Sequence, residues 1–200
     1  MLFRSRTNTT GGNNVVVGTS AMYYNTTGVN NTAIGNSALN ANTTGSYNVA
    51  VGSYALSAST TGVNSVAVGY YALGATTTGT YNTAVGTQAL NSSTTASGNC
   101  AFGNAAAYSI TTGGNNTALG YAALYTTTTG TDNAAVGWSA LYSNTTGTSN
   151  VGIGSASGYY NQTGLQNVYV GYYAGTGASG NSNSNNVGIG YYALNKITTG

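Results

Sequence analysis

The sequence predicts an all-β fold, a parallel β-solenoid of about eleven 17-residue coils. Three observations predict it. A glycine recurs at Gly18, Gly35, Gly52, Gly69, Gly86, Gly103, Gly120, Gly137, Gly154 and Gly171, always 17 residues apart, and an eleventh, Gly190, follows after 19. The residue before each glycine is apolar: Val17, Ile34, Val51, Val68, Val85, Phe102, Leu119, Val136, Ile153, Val170 and Ile189. A Thr-Thr-Gly stretch closes most units, as at Thr77-Thr78-Gly79. A short fixed period marks stacked units, each too small to bury its apolar face alone.

The elements follow in order. Residues 1–11 form a lead-in segment that holds Arg4 and Arg6, and residues 12–200 form a single repeat array. In each unit the first apolar run, such as Val49-Ala50-Val51, is short and β-branched, as strands are. The glycine after it supplies a turn. A second run, such as Tyr54-Ala55-Leu56, is expected to be a return strand, and Thr-Thr-Gly a second turn. Asn stands at the third position of ten of the eleven units, with Ser65 the exception, and is expected to form an amide ladder along the stack. Two residues added near Ser182-Asn183, with Gly175, Gly177 and Gly180, predict a protruding loop. Eleven coils about 4.8 Å apart would rise about 50 Å. Helix is disfavoured, since glycine and β-branched residues are frequent and no 3.6-residue stripe emerges.

Strand alternation sends the two valines of Val66-Ala67-Val68 one way and the alanine the other. A narrow coil has room inside for Ala67 and Ala72. The valine columns then face outward, most simply towards copies of the same chain. The plainer arrangement places Val and Leu inside and Ala outside.

The hexapeptide Asn64-Ser65-Val66-Ala67-Val68-Gly69 resembles the head repeats of trimeric autotransporter adhesins. Asn31-Thr32-Ala33-Ile34-Gly35, followed by Ala38-Leu39 and Thr43-Thr44-Gly45, is similar to repeats of phage and viral tail fibres. The resemblance covers residues 12–200. It implies a left-handed β-roll, three chains around one axis, and a place outside the cell, on a cell surface or on a virion. Two departures stand out. The 17-residue period exceeds that of the adhesin heads, so the turns must differ, and the chain holds no coiled-coil stalk or membrane anchor.

Composition excludes several function classes. The 200 residues include three basic and one acidic side chain, no histidine and no proline. Three basic residues make no phosphate-binding patch, so nucleic acid is not an expected partner. No apolar run is long enough to insert in a membrane, and Met1-Leu2-Phe3-Arg4 does not read as a signal peptide. General acid–base catalysis has only Asp132 to draw on, and Lys196 is the sole lysine, so no enzyme, cofactor or metal is expected. Gly152-Ile153-Gly154 with Gly158 misses the dinucleotide fingerprint by one position and is read as turn glycine. Cys100 has no partner for an internal disulfide and is expected to be a small buried apolar residue.

Aromatic side chains are the candidate binding residues. Tyr70, Tyr71, Tyr121, Trp138, Tyr172, Tyr173, Tyr191 and Tyr192 occupy positions eight and nine of their units. Position twelve holds Tyr23, Tyr108, Tyr125, Tyr142 and Tyr159. Stacked coils would line these rings into ladders, either a platform for sugar faces or a partner, or a scaffold of rings packed on one another. The expected function is the shaft or head of an attachment fibre that meets a receptor, a glycan foremost. The alternatives are a purely structural filament, as a homotrimer or an end-to-end polymer, and an ice-binding solenoid that uses its threonine pairs.

Overall fold

The computed structural model describes residues 10–180 and 182–197. The lead-in arginines Arg4 and Arg6 lie outside the described residues. Eleven three-residue strands form one parallel sheet in sequence order: β1 Val15–Val17, β2 Thr32–Ile34, β3 Val49–Val51, β4 Val66–Val68, β5 Thr83–Val85, β6 Cys100–Phe102, β7 Thr117–Leu119, β8 Ala134–Val136, β9 Val151–Ile153, β10 Val168–Val170 and β11 Val187–Ile189. Equivalent residues of successive coils pair, as Val49 with Val66. The register survives the longer unit, where Val168 pairs with Val187. No described helix is long and apolar enough to cross a membrane.

The expected return strand is not a strand. Residues of the second run adopt left-handed backbone at alternate positions, with φ of 60° at Tyr54 and 50° at Leu56. That alternation breaks the extended pleat, because β conformation requires negative φ. The limb instead folds as successive tight turns closed by Ala55 N–H to Gly52 O (3.3 Å) and Ser57 N–H to Tyr54 O (3.3 Å). It still bonds coil to coil, through Leu56 N–H to Ala72 O at 3.0 Å and Tyr54 N–H to Asn36 O at 2.9 Å. These stacked bonds offset a strain of about 1–3 kcal/mol at each left-handed non-glycine residue.

The core is thin and made of small residues. Ala67, Ala72 and Leu73 are fully buried in the fourth coil, and their equivalents repeat along the stack. Alanine keeps the strand and the turn limb close. Leucine fills the remaining width, its burial contributing about 1.5–3 kcal/mol per coil. The sixth-position column, including Val68 and Val85, faces outward and takes no part in this core.

Coil ten departs from this pattern. Tyr169 points inward from β10 and is fully buried. Position eleven, leucine in seven of the eleven units and Met22 or Ala107 in two others, is glycine in that coil and the one before it. A Cβ on Gly175 would collide with the Tyr169 ring, and one on Gly158 would lie 2.9 Å from Tyr169 Cδ2. Gly158 makes room for the ring while holding a left-handed turn position of the return limb, with φ +61°, whereas Gly152 sits mid-strand in β9 with Leu141 beneath it and is not a turn glycine. Gly154 is the turn glycine that closes the strand, with φ +124°.

The glycine column turns the chain at the end of each strand. Gly69 has φ +136°, and a Cβ there would lie 2.5 Å from the Gly86 carbonyl oxygen. The asparagine column forms the expected ladder. Asn116 Oδ1 accepts the Asn133 N–H (3.1 Å) and Asn133 Nδ2 (3.0 Å), while Asn116 Nδ2 donates to Gly130 O (2.8 Å). Ser65 keeps one rung, accepting the Asn82 N–H at 3.2 Å. A second, partial ladder occupies position fourteen, where Asn42 Nδ2 donates to Asn25 Oδ1 at 2.8 Å. Among the described residues of the longer unit no strand runs between 176 and 183, and residues 178–180 and 182 are exposed. The loop's Asn183 carbonyl accepts Asn167 Nδ2, replacing the usual glycine.

Candidate functional site

Alternation extends past the strand. In the seventh coil Asn115, Leu119 and Tyr121 are exposed and Thr117 is half-buried, while Asn116 and Ala118 are buried. Positions two, four, six and eight thus form the outward columns, with four and six on the sheet and two and eight on the turns that flank it. The middle columns are Val, Thr and Ile, half-buried or exposed, with Phe102 and Leu119 among the exposed. Charge is nearly absent. Asp132, at position two, accepts Asn115 Nδ2 at 3.3 Å, and Lys196 is the other charged side chain among the described residues. Cys100 stands in this outward face, half-buried between Thr83 and Thr117, rather than inside the coil. The fourth position alternates outward with the sixth, which sequence reasoning stated for valine but did not carry over to the cysteine. Burial raises the thiol's pKa.

The aromatic candidates do not form one continuous platform. They gather in three clusters. Tyr54 and Tyr71 stack at 4.7 Å with Tyr70 edge-on to them. Tyr121 and Trp138 stack at 6.4 Å with planes 7° apart. Tyr172, Tyr173, Tyr191 and Tyr192 form a block in which Tyr172 stacks on Tyr191 (5.5 Å) and Tyr173 on Tyr192 (5.4 Å). Tyr70, Tyr121, Trp138, Tyr172, Tyr191 and Tyr192 are exposed, and Tyr71 and Tyr173 half-buried. Between the clusters, position eight is Thr87, Asn104 or Ser155. Stacking along the solenoid covers ring faces with other rings, so each ring of a stacked pair keeps only its outer face open.

The one long ladder lies at position twelve. Tyr108, Tyr125, Tyr142 and Tyr159 are all half-buried and stack at 5.2, 5.2 and 4.9 Å. Burial first, then neighbouring tyrosines, raises the pKa of Tyr125 and Tyr159. Burial also raises the Tyr169 phenol, with Asn186 pulling the other way.

The threonine pairs divide their roles. The first of each pair donates its hydroxyl to the next coil's backbone, as Thr77 Oγ1 to Thr94 O at 3.1 Å. The second, such as Thr78 and Thr95, is exposed, so the stack presents a single threonine row rather than a paired array. Asn25, Asn42, Asn144 and Asn161, each opening an Asn-x-Thr sequence of the kind that accepts N-linked glycans, are buried, whereas Asn30 and Asn115, which open the same pattern, are exposed. Among the described residues no group of three or more His, Cys, Asp or Glu could hold a metal ion.

No protein-family model, curated protein or solved structure matches this chain.

Proposed function

We propose that this chain is a non-enzymatic fibre module. It associates with copies of itself through the outward face of its sheet and presents its aromatic clusters to a glycan receptor, on a cell surface or a virion. One observation carries the reading: the outward columns are apolar and nearly uncharged over all eleven strands. At strand spacing the two apolar columns make a strip about 50 Å long and roughly 10 Å wide, about 500 Å². A contiguous apolar strip of this size is large enough to mark an interaction surface, and a stable interface of about 800 Å² per partner would bury it together with the flanking polar and aromatic columns. A closed trimer covers the strip on every chain. An end-to-end polymer covers the coil ends and leaves the strip in water.

Light scattering and electron microscopy of the purified chain test this. The expected mass is three times that of the chain, and the Cys100 thiol should lose reactivity towards a soluble alkylating reagent as the chain assembles. Val68→Lys with Val85→Lys should return the protein to monomer with its circular dichroism unchanged. A native chain that stays monomeric at micromolar concentration, with Cys100 freely alkylated, overturns the association. For the receptor, Tyr121→Ala with Trp138→Ala should weaken retention on a glycan array while the fibre stays assembled. Unchanged retention would make the aromatic clusters scaffold.

A further inference from the structure

Resting on the reading of this chain as a glycan-facing fibre, we infer that Trp138, Ser155 and Tyr172 form a slot that clamps one uncharged hexopyranose ring. The three residues occupy position eight of successive coils. The Ala156 N–H donates to Trp138 O (2.8 Å) and the Tyr173 N–H donates to Ser155 O (3.0 Å), which fixes them as neighbours. From Tyr121 to Tyr191 the column reads Tyr121, Trp138, Ser155, Tyr172, Tyr191, so the serine is a one-coil gap in an aromatic stack.

Each wall of the gap is the last ring of a stacked pair. Trp138 is backed by Tyr121, with planes 7° apart. Tyr172 is backed by Tyr191, with planes 9° apart, and flanked by Tyr173 at 4.6 Å. The covered faces point away from the gap, so the free faces of Trp138 and Tyr172 look into it. Both rings are about half exposed, at 52 % and 45 %. Backing by a second ring holds each wall in place before a ligand arrives, which lowers the ordering penalty of binding.

The width selects the occupant. Coils stack about 4.8 Å apart, so a skipped coil leaves about 10 Å between parallel ring planes, and the stacked pairs of this column, 5.5 and 6.4 Å between centroids, add a lateral offset. A flat aromatic guest in contact on both sides needs only about 7–8 Å. A saturated chair with axial hydrogens on both faces needs roughly 9–10 Å at the same contact distances. The slot therefore fits a pyranose better than a planar ring. It also carries no charged side chain, which suits a neutral guest. Two aromatic walls require C–H groups on both faces of the sugar, so β-glucosides and β-N-acetylglucosaminides, with equatorial substituents, fit. A mannoside turns its axial hydroxyl into a wall. The Ser155 hydroxyl at the floor and the Trp138 indole N–H at the rim can hydrogen-bond the ring's edge.

Trp138 is the only tryptophan of the chain and reports the slot directly. The full chain is titrated with methyl β-glucopyranoside, methyl β-N-acetylglucosaminide and methyl α-mannopyranoside while Trp138 emission is followed. We expect saturable changes with the first two and at least fivefold weaker binding of the mannoside. Ser155→Tyr should fill the gap, weaken binding at least tenfold and leave the melting temperature unchanged or raised. Tyr172→Ala removes one wall and should weaken binding to a similar extent without filling the gap. Absence of a saturable change with every sugar overturns the slot, as does binding at native strength by both variants. If the native chain still binds a glycan array when the slot fails these tests, fibre recognition stands but lies elsewhere. If the slot binds sugar and the array shows no retention, the receptor reading fails and the slot survives as a monosaccharide site.

Discussion

Gly69→Ala is the sharpest perturbation of the stack. The glycine has φ +136°, and an added Cβ would meet Gly86 O at 2.5 Å, Gly86 C at 2.7 Å and Thr87 N at 3.2 Å. All three are backbone atoms of the next coil, which no rotamer change can move. The backbone conformation itself would strain an L-residue by about 1–3 kcal/mol. Pushing the coils apart adds overpacking of about 1–3 kcal/mol. It also weakens the Gly86 N–H to Val68 O bond of 2.8 Å, worth about 1 kcal/mol net. The sum is about 3–7 kcal/mol. A repeat array does not unfold all-or-none, so a global melt would blur this loss. Amide hydrogen exchange reads it locally: protection of the Gly86 N–H should fall at least a hundredfold. Gly190→Ala is the matched control, with φ +126° but nothing within 4 Å of its Cβ. It isolates the backbone strain, read at the Gly190 N–H, which is bonded to Val170 O at 2.8 Å. The reasoning is refuted if Gly69→Ala lowers protection less than tenfold, or no more than Gly190→Ala does.

Three further outcomes are expected. Asn116→Ala strips the bonds to Asn99, Asn133 and Gly130 and should destabilise its coils by about 2–4 kcal/mol in hydrogen exchange; Asn116→Ser should recover part of this, because Ser65 already serves in that column, and equal loss by both variants would deny the ladder its role. The raised pKa of Tyr125 and Tyr159 means the folded chain favours the neutral phenol, so its contribution to stability is complete below the ordinary tyrosine value of about 10 and is lost as pH rises through the folded value; absorbance titration at alkaline pH should show these phenols ionising late, and ionisation at the unfolded value would contradict it. Gly175→Leu restores the leucine of other coils but collides with Tyr169. It should lower hydrogen-exchange protection at the N–H of residue 175, bonded to Ala193 O at 2.7 Å, at least tenfold, whereas adding Tyr169→Ala should restore most of the loss. Additive effects of the two changes would show that the residues are not coupled.

What the sequence by itself determined is whatever repeats every 17 residues. In a parallel stack equivalent positions sit above one another, so a column in the alignment of units is a column in space. That made the glycine column, the asparagine ladder and the inward alanines of Ala67 and Ala72 legible before any coordinates. The outward valines followed from strand alternation, because side chains three residues long in β have only two directions to take. Tertiary structure alone decided the conformation of the return limb. Tyr54-Ala55-Leu56 reads as a strand by composition, yet left-handed backbone at Tyr54 and Leu56 is held by bonds to the coils on either side, a cost no local preference would predict. It also decided which rings meet. Tyr172 and Trp138 look alike in sequence to Tyr70, but their neighbours one coil away determine whether a ring face is covered by another ring or left open over a serine. Tyr169 is the same lesson in the core: its place depends on Gly158 and Gly175, residues of two different coils whose exchange for leucine becomes intelligible only when the ring is seen lying between them.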